Sequence, residues 1–143
     1  MQKTTTSISI NASAARVWDV LWSDKTFRDW ANIIDEGTYM VGELKEGNEV
    51  QFLSASGYGV TSHVEKLIPN EHVLLRQVAD TKEGGQALRN DEWTGGEESY
   101  TLIEKDGVTT LTHESDVPDE LVDIFNVSLP QALARIRALA ESS

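Results

Sequence analysis

Residues 116–140 read DVPDELVDIFNVSLPQALARIRALA, and this stretch decides what the rest of the chain must provide. Its apolar positions Leu121, Phe125, Leu129, Leu133, Ile136 and Ala140 fall three or four apart, the spacing that lines one face of an α-helix. Asp119, Glu120, Asp123, Arg135 and Glu141 fall mostly on the other side. Asp116 is a cap candidate, Pro118 suits a first turn, and Asp119 and Glu120 place acids at the positive end of the helix. Arg135 and Arg137 suit its negative end. Pro130 lacks the N–H that the Asn126 carbonyl would accept and crowds the preceding turn. A kink or break is therefore predicted between Phe125 and Pro130, with the apolar face resuming beyond it. A long helix with one apolar face needs a second layer to cover that face.

Upstream, the period changes to two, which supplies that layer as strands. Val108 to Ser115 carries Leu111 and His113 on one face, between threonines, and Lys105-Asp106-Gly107 precedes it as a tight turn. Tyr100 and Leu102 alternate in the strand before. Val73 and Leu75 share a face opposite Leu74 and Arg76, and Val60 to Ile68 runs until Pro69-Asn70 breaks it. Val50 and Phe52 alternate with Glu49, Gln51 and Leu53, and Thr38 to Val41 is the first strand of this series. Gly57-Tyr58-Gly59 marks a hairpin. A loop is predicted from Ala79 to Glu97, holding Gly84-Gly85, Gly95-Gly96 and Trp93. Trp93 is costly to leave in water, so it folds back as a structural plug or rim, or contacts a ligand.

The chain opens with a strand, Thr4 to Ile10, followed by a helix start at Asn11 or Ser13. Val17, Trp18 and Leu21 form one apolar face of that short helix. A second short helix restarts at Ser23-Asp24, with Phe27 and Trp30 facing the same way. The order is strand, two short helices, six strands and a long helix, in one α+β domain spanning residues 1–143.

Composition narrows the functional classes. The net charge of −12 repels phosphate backbones and anionic membranes, so no nucleic acid and no membrane is expected as a partner. No cysteine is present, which removes disulfides, thiolate metal sites and thiol nucleophiles, and fits a cytoplasmic location. Met1 to Ile10 lacks a basic segment followed by an apolar run, so no secretory signal is read. The Asn-x-Ser matches at Asn11 and Asn126 are then chance.

Catalytic signatures are missing from the sequence: no Gly-x-Ser-x-Gly elbow, no phosphate-binding Gly-x-x-x-x-Gly-Lys and no His-Glu-x-x-His. No catalytic residue and no cofactor is assigned. Acid pairs such as Glu97-Glu98 sit at strand edges, where solvated carboxylates are expected. His63, His72 and His113 lie on three different strands without metal-ligand spacing, so no metal site is assigned. His72 is predicted to be solvated at a turn and His63 to face outward beside Val64. His113 shares a face with Leu111, which suits a core histidine satisfied by one hydrogen bond, a polar handle in an apolar pocket, or a catalytic base.

Ser7-Ile8-Ser9-Ile10-Asn11-Ala12-Ser13-Ala14-Ala15-Arg16-Val17-Trp18-Asp19-Val20-Leu21, followed by Trp30, resembles the opening of the START-like (SRPBCC) superfamily. Trp93-Thr94-Gly95-Gly96-Glu97-Glu98-Ser99-Tyr100-Thr101-Leu102 narrows the resemblance to the branch named for the activator of the heat-shock-protein-ninety ATPase. Gly107-Val108-Thr109-Thr110-Leu111 and the helix from Phe125 to Leu133 are similar to the same branch. The resemblance spans essentially the whole chain. It implies the helix-grip fold, a curved antiparallel sheet wrapped around the long C-terminal helix. It also implies a space between sheet and helix that can hold a lipid, hormone or polyketide.

The reading that follows is a non-catalytic domain binding a small hydrophobic ligand in that space. Phe52, Val64, Leu75, Tyr100, Leu102, Leu111 and His113, with Val50 and Val73, line the sheet side. Phe125, Leu129 and Leu133 close it from the helix, and Trp18 or Trp30 contributes from the short helices. The same residues also suit a simply packed core. Two rival functions use other features: a cyclase- or hydratase-like enzyme with His113 or a buried carboxylate as base, and a chaperone-cofactor-like protein-interaction module using the acidic surface or the Trp93 loop, its protein partner unknown. Thermal melts with and without a chelator should superimpose; a chelator-induced drop of many degrees would show that a metal holds the fold together.

Overall fold

The structure is a computed structural model describing residues 1–55, 59–82, 86–87 and 95–142. Strand β1 (Gln2–Ile10) leads into helices α1 (Ala14–Trp22) and α2 (Asp24–Ala31). There follow β2 (Tyr39–Val41), β3 (Glu49–Leu53), β4 (Gly59–Ile68), β5 (His72–Lys82), β6 (Gln86–Ala87), β7 (Glu97–Lys105) and β8 (Val108–Val117). A 3-10 turn, Asp119–Leu121, then opens into α3 (Val122–Glu141). The strands form one antiparallel sheet in the order β1-β8-β7-β5-β4-β3-β2, with β6 added on β5. The first strand pairs with the last, so Thr6 lies opposite His113 and Ile8 opposite Leu111. Irregularities between Thr61 and Ser62 and between Val64 and Lys66 interrupt the β4–β5 ladder. Such bulges sharpen the local twist and help curl the sheet into a half-barrel. This is the α+β helix-grip architecture predicted above.

Two tight places depend on backbone freedom. Asp106 and Gly107 have φ of 53° and 80°, the paired positive values of a two-residue hairpin turn, which close β7 onto β8 at Lys105 and Val108. At Gly59 a Cβ would stand 1.7 Å from the Phe52 carbonyl oxygen, so no side chain fits where β4 leaves β3.

The entry to α1 is pinned from three sides. Ser13 Oγ accepts the Arg16 N–H at 3.1 Å, Glu104 Oε1 accepts the Ala14 N–H at 2.7 Å, and Thr109 Oγ1 donates to the Ala12 carbonyl at 2.7 Å. Val17, Val20 and Leu21 are the buried face of α1, whereas Trp18 is only half-buried. Phe27 and Trp30 are buried together on α2 as predicted, edge-to-face at 5.1 Å.

Helix α3 contributes Leu129, Ala132, Leu133, Ile136 and Ala140 to the interior. Of the predicted kink or break at Pro130 no break occurs, since the helix runs on from Val122 to Glu141, and the apolar face resumes beyond it as expected. Pro130 and Asn126 are both exposed, so water can satisfy the carbonyl that loses its intrahelical donor. The helix also starts later than predicted, because Asp116 and Val117 finish β8. The predicted basic end is supplied from elsewhere. Arg16 of α1 donates from Nη2 to the carbonyls of Leu139 at 3.0 Å and Ser142 at 3.4 Å, and from Nε to that of Ala140 at 3.5 Å. This guanidinium meets the negative end of α3 directly. Arg135 instead forms a two-pronged bond to Asp29 on α2, at 2.7 and 2.9 Å, and that hydrogen bond holds the Asp29 carboxyl below its ordinary range.

The predicted loop from Ala79 to Glu97 is partly strand. β5 continues to Lys82, and β6 pairs with it through Thr81–Ala87 and Lys82–Gln86. Gln77 exchanges backbone hydrogen bonds with Gly95 and Gly96 at 2.7 and 2.8 Å, extending the β5–β7 ladder. The sequence from Asp80 to Ala87 carries no apolar alternation, so these strands were not readable from it. Trp93, Gly84-Gly85, Gly57 and Tyr58 lie outside the described residues.

Ile136→Ala should cost roughly 2–5 kcal/mol, because a fully buried side chain leaves a cavity. Pro130→Ala should raise stability by about 1–2 kcal/mol, since it restores a helical donor and removes no buried contact. Urea midpoints of both variants test the account; a destabilised Pro130→Ala would show that the ring is needed where it stands.

Candidate functional site

The concave face collects most of the residues singled out from the sequence. Val64, Leu75, Tyr100, Leu102, Leu111 and Leu133 belong to one buried cluster, together with Val50, Val73 and Trp30, and Phe52 packs against it. Leu129 is buried on α3 but outside that cluster, and Phe125 is only half-buried in the first turns of the helix. Trp22, Phe27, Phe52 and Tyr100 make a continuous aromatic wall: Trp22 lies 6.2 Å from Phe27 and 5.1 Å from Tyr100, and Phe27 lies 5.8 Å from Phe52.

Within this wall sits a polar group of three. His113 is 1% exposed and pairs across the ladder with Tyr100, their rings 4.8 Å apart edge-to-face. Its Nε2 lies 2.7 Å from Glu98 Oε2, and the Tyr100 hydroxyl donates to the same oxygen at 3.5 Å. The Glu98 side chain keeps 22% exposure, so it joins the interior to solvent. An ionised carboxylate only accepts, so Nε2 is the nitrogen that donates in this contact. Burial, and then the Glu98 charge, push the Tyr100 hydroxyl well above its ordinary range, keeping it a neutral donor. A second buried polar pair, Ser62 and Gln77, hydrogen-bonds across β4 and β5.

Glu98 was misread from the sequence as a solvated edge acid. It stands two residues before Tyr100, on the same face of β7, and the alternation contained that signal. Ser62, two before Val64, and Gln77, two after Leu75, could have been found in the same way. Trp22 lies one helical turn beyond Trp18. His63 is half-buried beside the fully buried Val64, as the alternation required. His72 is not free at a turn. It opens β5, bonds Thr101 Oγ1 through Nδ1 at 2.9 Å, and is held below its ordinary pKa by burial and then by the Lys66 charge.

Because the Tyr100 hydroxyl titrates higher when folded, its contribution is complete below the unfolded value near 10 and is lost as pH rises above it. The stability of the parent should fall above about pH 10, by up to ~1.4 kcal/mol per pH unit from this one group. Tyr100→Phe should flatten that decline, as read from urea midpoints between pH 9 and 11; parallel declines would remove Tyr100 as the cause.

The family model described as activator of Hsp90 ATPase homolog 1-like protein matches residues 11–141. Comparison with curated proteins finds no match. Several solved structures share the fold. Protein Ms6760 from Mycobacterium smegmatis superposes with a TM-score of 0.76 at 15% identity, over 99% of this chain and 91% of that one. The Aha1 dimer from Colwellia psychrerythraea gives 0.73 at 21%, over 99% and 97%. DynU16, a protein in the dynemicin biosynthetic locus, gives 0.75 at 14%, over 99% of this chain but 48% of that one, so this chain spans about half its length. At these identities the likeness is one of fold. With its family model matched from residue 11 to 141, the chain belongs to the activator of Hsp90 ATPase homolog 1-like family, within the START-like superfamily.

Proposed function

We propose that this chain is a binding domain that holds a small hydrophobic molecule between the concave face of its sheet and α3. The observation that carries the reading is the Glu98–His113 pair, the one carboxylate–imidazole contact among the described residues of a mostly apolar and aromatic wall, set at 2.7 Å. A packed core gains little from such a pair, because apolar residues of similar volume fill the space at no greater cost. Binding sites combine mostly apolar walls with a few placed polar groups, and this face has that composition. Phe52, Val64, Leu75, Leu102, Leu111, Leu129 and Leu133 supply the apolar walls, Tyr100 and His113 the polar contacts, and Phe125 the rim. The occurrence of DynU16, of like fold, in a biosynthetic locus supports a small molecule as the ligand class. The acidic, cysteine-free composition supports a cytoplasmic setting.

A second reading makes the same interior a cyclase- or hydratase-like site. It is favoured by the carboxylate–imidazole geometry, in which Glu98 orients His113 and leaves Nδ1 as a base. Turnover of a polyketide-like substrate that is lost in His113→Ala would select this reading over simple binding.

Leu133 tests whether the interior receives a ligand. The parent should bind one naphthalene saturably. Leu133→Trp should fold about as stably as the parent and lose that binding, because the larger ring occupies the ligand's place. A parent without saturable binding, paired with a variant destabilised by ~1–3 kcal/mol, would mean that the interior is filled by its own side chains and the binding reading is wrong.

A further inference from the structure

Two buried polar atoms of the interior have no hydrogen-bond partner among the described residues: Nε1 of Trp22 and Nδ1 of His113. Both rings stand edge-on to the same residue, Tyr100, at 5.1 and 4.8 Å between centroids. Neighbouring groups show that the fold does satisfy such atoms elsewhere. The buried Trp30 donates its own Nε1–H to the Val20 carbonyl at 3.3 Å, and the other nitrogen of His113 meets Glu98 at 2.7 Å. Burying an unpaired donor and an unpaired acceptor against the same tyrosine is costly to the folded chain, and a partner from outside the chain would offset that cost.

The chemistry of the two atoms defines the partner. Indole nitrogen only donates. Imidazole Nε2 faces a carboxylate and carries hydrogen, so in the singly protonated ring Nδ1 only accepts. A fitting ligand therefore brings an acceptor to Trp22 and a donor to His113. A hydroxyl supplies both, an ether oxygen supplies only the acceptor, and a hydrocarbon supplies neither. A carboxylate brings acceptors alone and sets its charge near that of Glu98. The surrounding Trp22, Phe27, Phe52 and Tyr100 rings offer faces and edges suited to a flat ring system.

Resting on the binding reading above, we propose that the ligand is an apolar aromatic molecule bearing a hydroxyl group, held by the Trp22 indole N–H and by His113 Nδ1. Glu98 acts as the positioning residue that fixes the His113 tautomer. Fatty acids and other simple carboxylates are poor ligands for the same reason.

The test is a titration of the full chain with 2-naphthol, 2-methoxynaphthalene, naphthalene and 2-naphthoate. Affinity should fall in the order naphthol, methyl ether, hydrocarbon, each step roughly three- to tenfold, the range of one net hydrogen bond. Naphthoate should bind no tighter than naphthalene. His113→Gln keeps an amide N–H for Glu98 but no acceptor where Nδ1 stood; it should bring 2-naphthol down to the affinity of its methyl ether. Trp22→Phe keeps an aromatic ring; it should weaken naphthol and its ether by roughly three- to tenfold and leave naphthalene within about twofold. In the parent, the indole N–H resonance missing from Trp22→Phe should shift on saturation with naphthol and not with naphthalene, a readout independent of how well either variant folds. Equal binding of naphthol and naphthalene by the parent, or an unmoved Trp22 resonance, would overturn the hydroxyl assignment while leaving the binding reading in place. No binding of any of the four compounds would overturn both.

Discussion

A curled sheet has one concave face to cover, and everything else in this protein follows from how α3 covers it. The helix has 20 residues, about 30 Å, which is long enough to lie along a domain of this size. Ala132, Leu133, Ile136 and Ala140 turn inward and join the cluster built by α1, α2 and the strands, and Leu129 is buried beside them on the helix. Its far end is clamped: Arg16 bonds the last carbonyls, Glu141 accepts the Asn11 N–H at 2.8 Å, and Arg135 ties the middle to Asp29. The first turns are held less, with Phe125 half-buried and Ile124 and Val127 more than half exposed. Packing is therefore graded along the helix, tight at the end beside α1 and loose at the end beside the 3-10 turn.

The polar group of the interior depends on that grading. Glu98 and Ser115 face each other across β7 and β8, two register steps from the Tyr100–His113 pair and on the same face, and Glu98 retains contact with solvent. Towards Leu111, Leu102 and Ile10 the same face carries no buried charged group among the described residues, and its one buried polar side chain there, Thr109, is satisfied by the Ala12 carbonyl. A carboxylate is tolerated at one end because water still reaches it, and it carries its influence inward through a hydrogen bond to a histidine that water does not reach. The concave face thus keeps the Glu98 carboxylate at the end that water reaches.

Much of this was legible in the sequence, and what was not has identifiable physical reasons. The α3 stripe and the strand alternation were readable because burial on one face imposes a period, and residues such as Leu111, Val64 and Leu133 obey it. Pro130 misled because proline was weighed without knowing which side its lost partner faced; on the solvent side, the helix survives. The cap on α3 was sought among the local Arg135 and Arg137, whereas it came from Arg16, more than a hundred positions away. Long-range side-chain bonds of this kind leave no local trace. Glu98 was missed for a different reason. Its residue type was allowed to outweigh its place in the alternation, and a polar residue on the buried face of a strand is the more informative signal.

Pairing the first strand with the last has a consequence for how the protein comes to be folded. Gln2 sits opposite Val117 in the finished sheet, so β1 has no ladder partner until β8 has been made. At translation rates of roughly 5–20 residues per second, the wait is on the order of 5–20 s. Throughout it, β1 and the apolar faces of α1 and α2 remain without the strand and helix that later cover them. Contacts of such long sequence separation also slow the closing step itself, because the chain's ends must meet before any of that pairing is gained. For a nascent chain this is the interval in which a holding chaperone has the most to do, and the interval in which the mature sheet's edge strand is most open to pairing with a neighbour.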